Sequence, residues 1–276
     1  MKPGIYHHMP FSEYAEAPGL NQSKLKVMRR SPKKFKHMLN VSKTDTLELG
    51  MGRAIHTAVL EPETFNDCYA QLPEVNLRTN DGKKLIQDFK NMNPGKDFLK
   101  ASEYTEVFEI AASVLGDPDA ARLLADTERE LSVWWKDEGT DVLCKARIDA
   151  WLPKARTIID LKTTRDAGPA FARGIWQYGY HLQAAWYMQA LEAHGLMPAH
   201  FIFIAVEKEP PYDVGIYRLT DEVIQLSRQE NSALLRKYAE CERKDYWPGY
   251  TEGIVDIGIP KFGYQELEEQ HGIESV

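Results

Sequence analysis

Two neighbouring segments of the chain combine carboxylates with a lysine. Asp149 lies in the run 142–151, and Asp160 and Lys162 lie in the run 157–162. Both runs are rich in β-branched and aromatic residues that alternate with polar ones, so each predicts a strand. Successive side chains of a strand point to opposite faces, so Asp160 and Lys162 project together while Ile159 and Leu161 turn into the core. The second strand therefore offers an acid and an amine to one cleft.

A short connection, residues 153–156, joins these two predicted strands. Antiparallel pairing about this turn places Asp149 directly across from Asp160, with Cβ atoms about 4.5–5.5 Å apart. Two carboxylates at that distance repel each other unless a cation lies between them. Mg²⁺, or Mn²⁺ in its place, prefers such oxygen ligands and can polarise a phosphate while it activates a bound water. Lys162 beside the metal can orient or deprotonate that water, or neutralise charge on the phosphate.

The same three residues also fit a purely structural interpretation. Asp149, Asp160 and Lys162 can form an ordinary salt-bridge ladder across two strands. An Asp-x-Lys triplet alone is a weak signal, and geometry does not separate the two interpretations. Both remain open at this level.

Further motifs extend over most of the chain. Ala146-Arg-Ile-Asp149 followed by Ile158-Ile-Asp-Leu-Lys162 resembles the core of the PD-(D/E)XK nuclease superfamily, with Ile148-Asp149 in place of the Pro-Asp that names it. Gln183-Ala-Ala-Trp-Tyr187 and Gly52-Arg-Ala-Ile-His56 are similar to the Gln-x-x-x-Tyr and Gly-x-x-x-His helices of its RecB-like branch. The segments 4–25 and 246–250 resemble the opening and close of exodeoxyribonuclease VIII (RecE-like) nuclease domains. The motifs in this order are specific, although each alone is not.

This resemblance implies the composition of an active site. It assigns metal binding to Asp149, Asp160 and the backbone carbonyl of Leu161, and catalysis to Lys162. It gives His56 the role of a metal ligand or a phosphate contact that completes the site. A histidine on a largely apolar helix is also a common buried core group, and that alternative stays open.

Three more residues take roles from the resemblance. Glu130, at the start of a further predicted strand over 130–135, matches an acidic position that can assist metal binding, or it is a solvent-facing glutamate on an edge strand. Gln183 and Tyr187 share one helix face and contact the DNA end or brace the site. Their alternative is a buried polar pair.

The resemblance also implies an activity. It is Mg²⁺-dependent 5′-to-3′ exonuclease digestion of double-stranded DNA ends, leaving 3′ overhangs for phage-type recombination by single-strand annealing. Related exonucleases form rings, so a trimeric or tetrameric homo-oligomer and a single-strand annealing partner are implied. The alternative is a catalytically silent DNA-binding or interaction module that keeps the nuclease fold. An iron–sulfur nuclease is excluded, because Cys68, Cys144 and Cys241 cannot supply four clustered thiolates.

The elements that position these residues predict an α/β fold. We expect one domain over 1–276, with a PD-(D/E)XK restriction-endonuclease-like core whose mixed central sheet is flanked by helices. Helical residues 1–126 precede an α/β core at 127–245 and a tail at 246–276. Capping residues and apolar spacing predict helices over 21–28, 32–39 and 47–60, and a polar loop over 72–84. An antiparallel meander follows residue 126, and then come a long helix over 169–193, strands over 200–206 and 214–219, and a helix over 221–243.

Charge is distributed unevenly along the 276 residues, whose formal net charge is −7. Seven of the 34 basic residues lie between Lys24 and His37 with no acid among them. Such a patch on an acidic body can steer a polyanion to one face. The alternative is a solvated helix face. The residues that we expect to contact DNA phosphates are Arg29, Arg30, Lys33, Lys34 and Lys36.

Other features limit the location and class of the protein. No apolar run approaches the roughly 20 residues that span a bilayer, and the first residues lack the apolar segment of a secretory signal. We therefore expect a cytoplasmic protein with no membrane partner. The chain has no Gly-x-x-x-x-Gly-Lys-Ser/Thr motif, so an ATP-driven motor is unsupported.

Overall fold

A computed structural model describes residues 1–39 and 47–271. Its centre is a mixed six-stranded sheet in the order β1-β4-β5-β6-β7-β8, and β2 and β3 form a separate parallel pair. The strands are β1 (Gly4–Tyr6), β2 (Tyr69–Gln71), β3 (Asp97–Leu99), β4 (Glu128–Lys136), β5 (Leu143–Leu152), β6 (Thr157–Thr164), β7 (His200–Glu207) and β8 (Val214–Arg218). The sheet and the helices around it confirm the predicted fold class.

The predicted meander is present as β4, β5 and β6, which pair antiparallel in sequence order. Ala150 pairs with Ile159 and Leu152 with Thr157, which is the register that the short connection predicts. β6 then pairs in parallel with β7, and β8 is antiparallel to β7. Pairing between β5 and β6 covers only three positions, whereas β6 and β7 pair along eight. The β5–β6 ladder therefore ends just before Asp149 and Asp160.

Helices cover the sheet and make up most of the N-terminal half. They are α1 (Phe11–Glu16), α2 (Gln22–Leu25), α3 (Pro32–Leu39), α4 (Leu47–Leu60), α5 (Phe65–Cys68), α6 (Asn80–Met92), α7 (Ala101–Gly116), α8 (Pro118–Leu124), α9 (Phe171–Tyr178), α10 (Tyr180–Glu192), α11 (Asp221–Lys244) and α12 (Lys261–His271). No described helix is both long and apolar enough to cross a membrane.

Several helix boundaries agree with the sequence pattern. The predicted helices over 32–39 and 47–60 are confirmed as α3 and α4. Ser31 caps α3, because its Oγ accepts the N–H of Lys34 at 3.1 Å. Asn21 caps α2 in the same way through Lys24, but the predicted helix over 21–28 changes to a 3₁₀ turn after Leu25.

Two predictions, one of a helix and one of a loop, are wrong. The single helix over 169–193 is two helices, because Gly179 adopts a left-handed φ of 72° that ends α9 and starts α10. The polar loop over 72–84 ends early, because the Thr79 hydroxyl accepts the N–H of Gly82 and caps α6 at Asn80. The N-terminal half also contains three short strands that the helical prediction lacks, and β1 extends the central sheet beside β4.

Apolar residues fill the space on both sides of the sheet. One cluster includes Ile158 and packs Trp186 of α10 and Leu235 of α11 near the sheet. A second cluster includes Ile159 and Leu161, together with residues of α4 and α7. The predicted inward orientation of Ile159 and Leu161 is thus confirmed, and β6 lies fixed between two cores.

A buried lysine ties the N-terminal segment to the sheet. Lys145 of β5 is 1% exposed, and its Nζ donates to the carbonyls of Tyr14 at 2.6 Å, Ala15 at 3.3 Å and Ala17 at 2.6 Å. The ammonium also lies 4.6 Å from the centre of the Tyr14 ring. Burial, with a smaller contribution from Lys24, lowers the Lys145 pKa to about 8. Its partners are neutral carbonyls and one aromatic ring.

Candidate active site

The candidate site lies where β5 and β6 stop pairing. Two residues beyond Ile159, the last position of β6 that pairs with β5, the backbone N–H of Leu161 donates to Asp149 Oδ2 at 2.9 Å. A side-chain carboxylate therefore takes the place of a strand carbonyl as the acceptor. Asp149 is 8% exposed, so this bond holds a nearly buried carboxylate in the gap between the two strands.

Asp160 and Lys162 occupy the same end of β6. Asp160 is fully buried, and Lys162 Nζ forms an ion pair with Asp160 Oδ2. Among the described residues, no donor forms a regular hydrogen bond to either oxygen of Asp160. A buried carboxylate normally accepts several hydrogen bonds, so this one keeps unused capacity for a cation. The Lys162 ammonium also lies 4.8 Å from the centre of the Tyr180 ring.

His56 reaches the site from α4. Its Nδ1 lies 3.5 Å from Asp149 Oδ2, and 27% of the side chain is exposed. Burial, reinforced by the Lys162 charge, lowers the His56 pKa to about 4, which a backbone hydrogen bond to Leu161 partly offsets. At neutral pH His56 is uncharged, as a metal ligand requires.

Glu130 completes the acidic group from β4. It forms a close ion pair with Arg147 Nε, and Arg147 also donates to the Met9 carbonyl at 2.7 Å and to Ser132 Oγ at 3.2 Å. Glu130 adopts a left-handed φ of 52°, which costs a non-glycine residue on the order of 1–2 kcal/mol. Its side chain is 12% exposed and β4 lies between β1 and β5, so the solvent-facing edge interpretation is wrong.

Burial raises the pKa of all three carboxyl groups. The Asp160 pKa rises to about 6, with Lys162 opposing the shift. The Glu130 pKa rises to about 7 because of burial and the Asp149 charge, and that of Asp149 is raised although Lys162 and the Leu161 N–H oppose it. For Lys162, burial lowers the pKa but the Asp160 and Asp149 charges outweigh it and raise the value above normal. Burial thus makes the charged forms of these carboxyl groups costly, and Lys162 and Arg147 offset part of that cost.

The donor set fits a divalent cation. One ligand atom from each of His56, Glu130 and Asp149 lies within 4.8 Å of the others. Asp160 is outside this group, but the Asp149 charge contributes to its raised pKa. Carboxylate oxygens with one imidazole suit Mg²⁺ or Mn²⁺, and the free oxygens of Asp160 provide further ligand capacity.

Gln183 and Tyr187 lie on α10 beside these acids. Gln183 Nε2 donates to the Tyr187 hydroxyl at 2.7 Å, and Tyr187 is 8% exposed. Burial, together with the Asp160 and Asp149 charges, raises the Tyr187 pKa well above its usual value. The pair consists of a buried tyrosine and a partly exposed glutamine, close enough to the acids for their charges to act on Tyr187. A contact with the DNA end stays a prediction.

Two contacts of this site carry no clear sequence signal. Arg147 shares a strand face with Asp149 at a spacing of two, which indicates proximity but not its pairing with Glu130. Tyr180, whose ring faces Lys162, follows the unpredicted break at Gly179. Both depend on contacts between distant elements.

The sequence matches a known family over most of its length. The model of the PDDEXK-like domain of unknown function (DUF3799) matches residues 21–256. The chain belongs to this family. It resembles, at 13% identity and a TM-score of 0.62, the crystal structure of a provisionally assigned exonuclease from Eubacterium rectale, with 95% of this chain and 97% of that chain covered. At 12% identity, a phage-related exonuclease from Haemophilus somnus 129PT gives a TM-score of 0.35, with 70% and 94% covered.

No curated protein sequence matches the chain. The similarity to the Eubacterium rectale structure shows the fold alone, and the PDDEXK-like assignment agrees with it.

The basic segment of this PDDEXK-like protein packs on the α11 region. Arg29 pairs with Glu230 at 2.6 Å, and Arg30 is exposed. Lys33 and Lys34 are exposed, and Lys34 Nζ lies 5.1 Å from the centre of the Tyr250 ring. Lys36 lies 4.9 Å from the Trp247 ring centre and 3.5 Å from Asp245 Oδ1.

The backbone N–H of Lys33 donates to the Pro248 carbonyl at 3.0 Å. The segment 246–250 therefore lines α3 with aromatic rings. The exposed ammonium groups remain accessible to phosphates.

Proposed function

We propose that this protein is a metal-dependent exodeoxyribonuclease that degrades double-stranded DNA from 5′ ends and leaves 3′ overhangs. The observation that carries the proposal is the buried Asp160 carboxylate, which is paired with Lys162 but lacks regular hydrogen bonds, beside Asp149. An ordinary salt-bridge ladder does not explain why the Asp160 carboxylate is buried without regular hydrogen bonds. Membership of a PDDEXK-like family supports the same chemistry.

The metal ligands in this proposal come from four elements. Asp149, Asp160, the Leu161 carbonyl and His56 would hold Mg²⁺ or Mn²⁺, with Glu130 as a further ligand. When bound, the cation supplies Lewis-acid polarisation of the phosphate and lowers the pKa of bound water. Mg²⁺ is the favoured ion because carboxylate and carbonyl oxygens dominate this set.

The residues of the chain divide the remaining work. Lys162 carries a proton in the described state because Asp160 and Asp149 raise its pKa, so it can stabilise charge on the scissile phosphate. Arg147 holds the Glu130 carboxylate in place. Gln183 donates to the Tyr187 hydroxyl, and this bond braces α10 behind the acids.

The polarity and the biological role rest on motif resemblance. The RecE-like arrangement supports 5′-to-3′ digestion, a role in phage-type single-strand annealing recombination and an annealing partner. It also supports a ring-shaped trimer or tetramer, in which the basic helices of several subunits line a channel. The uneven charge of the chain supports such an arrangement, because acidic surfaces then lie outside the ring.

Product analysis on linear duplexes tests the activity and its direction. Duplexes labelled separately at the 5′ and 3′ ends of one strand are incubated with Mg²⁺ or with EDTA. We expect the 5′ label to be released first as mononucleotide, while the 3′ label stays on a shortening strand. Asp160→Ala should abolish release but keep DNA binding, and EDTA should do the same to the unmutated protein.

Other outcomes contradict this proposal in different ways. Early release of the 3′ label reverses the polarity, and cleavage of covalently closed circles indicates an endonuclease. Binding without cleavage in both Mg²⁺ and Mn²⁺ supports the silent DNA-binding module instead. Full activity in EDTA removes the metal mechanism.

A further inference from the structure

Two large aromatic side chains are exposed on α9, directly beside the candidate site. Trp176 is 66% exposed and Tyr178 is 54% exposed. Single exposed aromatics are common on protein surfaces, but two in one short helix beside a catalytic candidate form a distinct feature. We call Trp176 and Tyr178 the aromatic pair.

The aromatic pair is connected to Lys162 by contacts between rings. The Tyr178 ring lies 5.5 Å from the Tyr180 ring, centre to centre, and Tyr180 lies under the Lys162 ammonium. The Trp176 ring stacks on the buried His181 ring at 5.2 Å with an interplanar angle of 15°. Each exposed ring is therefore supported from below by another ring. More than half of each residue nevertheless remains exposed to solvent.

Positive charge lines the same side of α9. The Arg29 guanidinium lies 5.3 Å from the Trp176 ring centre and is fixed by its ion pair with Glu230. Lys26 Nζ donates to the Tyr178 carbonyl at 3.0 Å. Arg173, three residues before Trp176, is exposed on the same helix. Exposed aromatic rings beside cations are the combination that binds single-stranded nucleic acid through stacked bases and backbone phosphates.

We propose that Trp176 and Tyr178 stack on unpaired bases of the DNA strand whose backbone enters the Lys162 site. This inference rests on the proposed nuclease function and names the part of the substrate that the surface binds. The bases concerned are those next to the scissile phosphate, because Tyr178 is separated from Lys162 only by Tyr180. Stacking there holds an opened strand end while its phosphate lies at the acids.

A binding cycle tests the stacking without requiring cleavage. Asp160→Asn serves as the background, because it removes one charge and leaves the aromatic pair untouched. Trp176→Ala/Tyr178→Ala is combined with this background, and affinity is measured by anisotropy for duplexes with a short unpaired 5′ end. The same duplexes are made with abasic sugars in the unpaired positions. Trp176→Phe/Tyr178→Phe keeps two rings, and Phe262→Ala removes an exposed ring from α12.

We expect loss of the aromatic pair to weaken binding by roughly 5- to 100-fold for each stacked base. Abasic ends should weaken binding to the background protein similarly but have little further effect on the double alanine variant. The slope of log affinity against log salt should not change, because no phosphate contact is lost. The phenylalanine variant should keep most of the affinity, and Phe262→Ala all of it.

Independent effects of the protein change and the abasic ends would overturn the stacking, as would unchanged affinity. The proposed nuclease activity is judged separately, by cleavage with the unmutated protein in Mg²⁺. If that protein cleaves DNA but the binding cycle shows no coupling, only the stacking fails. If the cycle shows coupling but no DNA is cleaved, the surface binds strands without the proposed chemistry.

Discussion

Two lysines on adjacent strands, one buried and one largely shielded from solvent, differ in what surrounds them. Lys145 of β5 donates to three backbone carbonyls and lies over one ring, and its environment is complete without any other molecule. Lys162 of β6 pairs with Asp160, whose oxygens accept no regular hydrogen bond from the described residues, and Asp149 lies nearby. Burial lowers the pKa of Lys145, whereas neighbouring acids raise that of Lys162.

This difference separates a structural lysine from a chemical one. Neutral carbonyls hold an ammonium in place but give it nothing to act on. Buried carboxylates with unused ligand capacity leave a charge to be balanced by a cation or a substrate. We therefore expect substitution of Lys162 to impair cleavage and substitution of Lys145 to impair stability.

The largest expected effect is on cleavage by Lys162 variants. Lys162→Ala should keep metal and DNA binding but lose about 10²–10⁴-fold in single-turnover rate, because one well-placed charge or proton-transfer group is removed. Lys162→Arg should be nearly as slow, since the guanidinium has another shape and does not deprotonate. Single-turnover cleavage at saturating protein measures this. A rate equal to that of the unmutated protein would make Lys162 a ladder residue.

The next largest effect is on the stability of a Lys145 variant. Lys145→Met should lower the free energy of unfolding by about 4 kcal/mol, because the carbonyls of Tyr14, Ala15 and Ala17 lose their donor. The folded fraction should cleave DNA normally. Urea unfolding followed by tryptophan fluorescence measures the loss, with Lys162→Met as the matched control. Equal destabilisation by both changes would remove the distinction between the two lysines.

A smaller effect should appear in the pH dependence of stability. Burial raises the folded-state pKa of Glu130 from its ordinary value to about 7, so its contribution to stability is present at low pH and is lost as the pH rises through 7. Glu130→Gln cannot ionise. Without metal, the free energy of unfolding of the parent relative to this variant should fall by about 3 kcal/mol between about pH 4.5 and about pH 8. Mg²⁺ should restore part of it.

Urea titrations of both proteins in EDTA across this range give the comparison. Glu130→Gln also weakens the ion pair with Arg147. The test therefore uses the change with pH in the difference between the two free energies of unfolding, not its value at one pH. A constant difference would mean that Glu130 ionises as it does in water.

The smallest effect concerns the basic helix α3. Lys33→Ala/Lys34→Ala/Lys36→Ala should reduce the slope of log DNA affinity against log salt by roughly 0.9 for each lost phosphate contact. The matched control is Lys83→Ala/Lys84→Ala/Lys90→Ala on α6, where Lys90 also faces an aromatic ring. An equal change in both triple variants would assign α3 to a solvated face.

The sequence predicted those parts of the site that depend on local pattern. A four-residue connection fixes the β5–β6 register, which pairs Ala150 with Ile159 as the sequence predicts. The ladder stops there, so the direct pairing of Asp149 with Asp160 is not part of it. Helix α4, which carries His56, was predicted with its observed bounds because its apolar spacing is regular and Pro62 follows it. The family motifs added the roles of these residues, which geometry alone left open.

The remaining features depend on distant contacts or on single backbone angles. Glu130 looks like an edge residue in its own strand, but β4 lies between β1 and β5 and the Glu130 side chain is 12% exposed beside Arg147. The break between α9 and α10 depends on one left-handed glycine within a helical pattern. Strand β1 is three residues long, and such a segment forms only because β4 offers an edge.

The end of the β5–β6 ladder gives the site an internal reporter. The amide hydrogen of Leu161 is held by the Asp149 carboxylate instead of by a strand carbonyl. Its exchange with solvent deuterium therefore depends on the position of one side chain, whereas amides paired along β6 and β7 depend on opening of the sheet. A ligand that moves Asp149 changes the protection of this single amide and leaves its neighbours as they were.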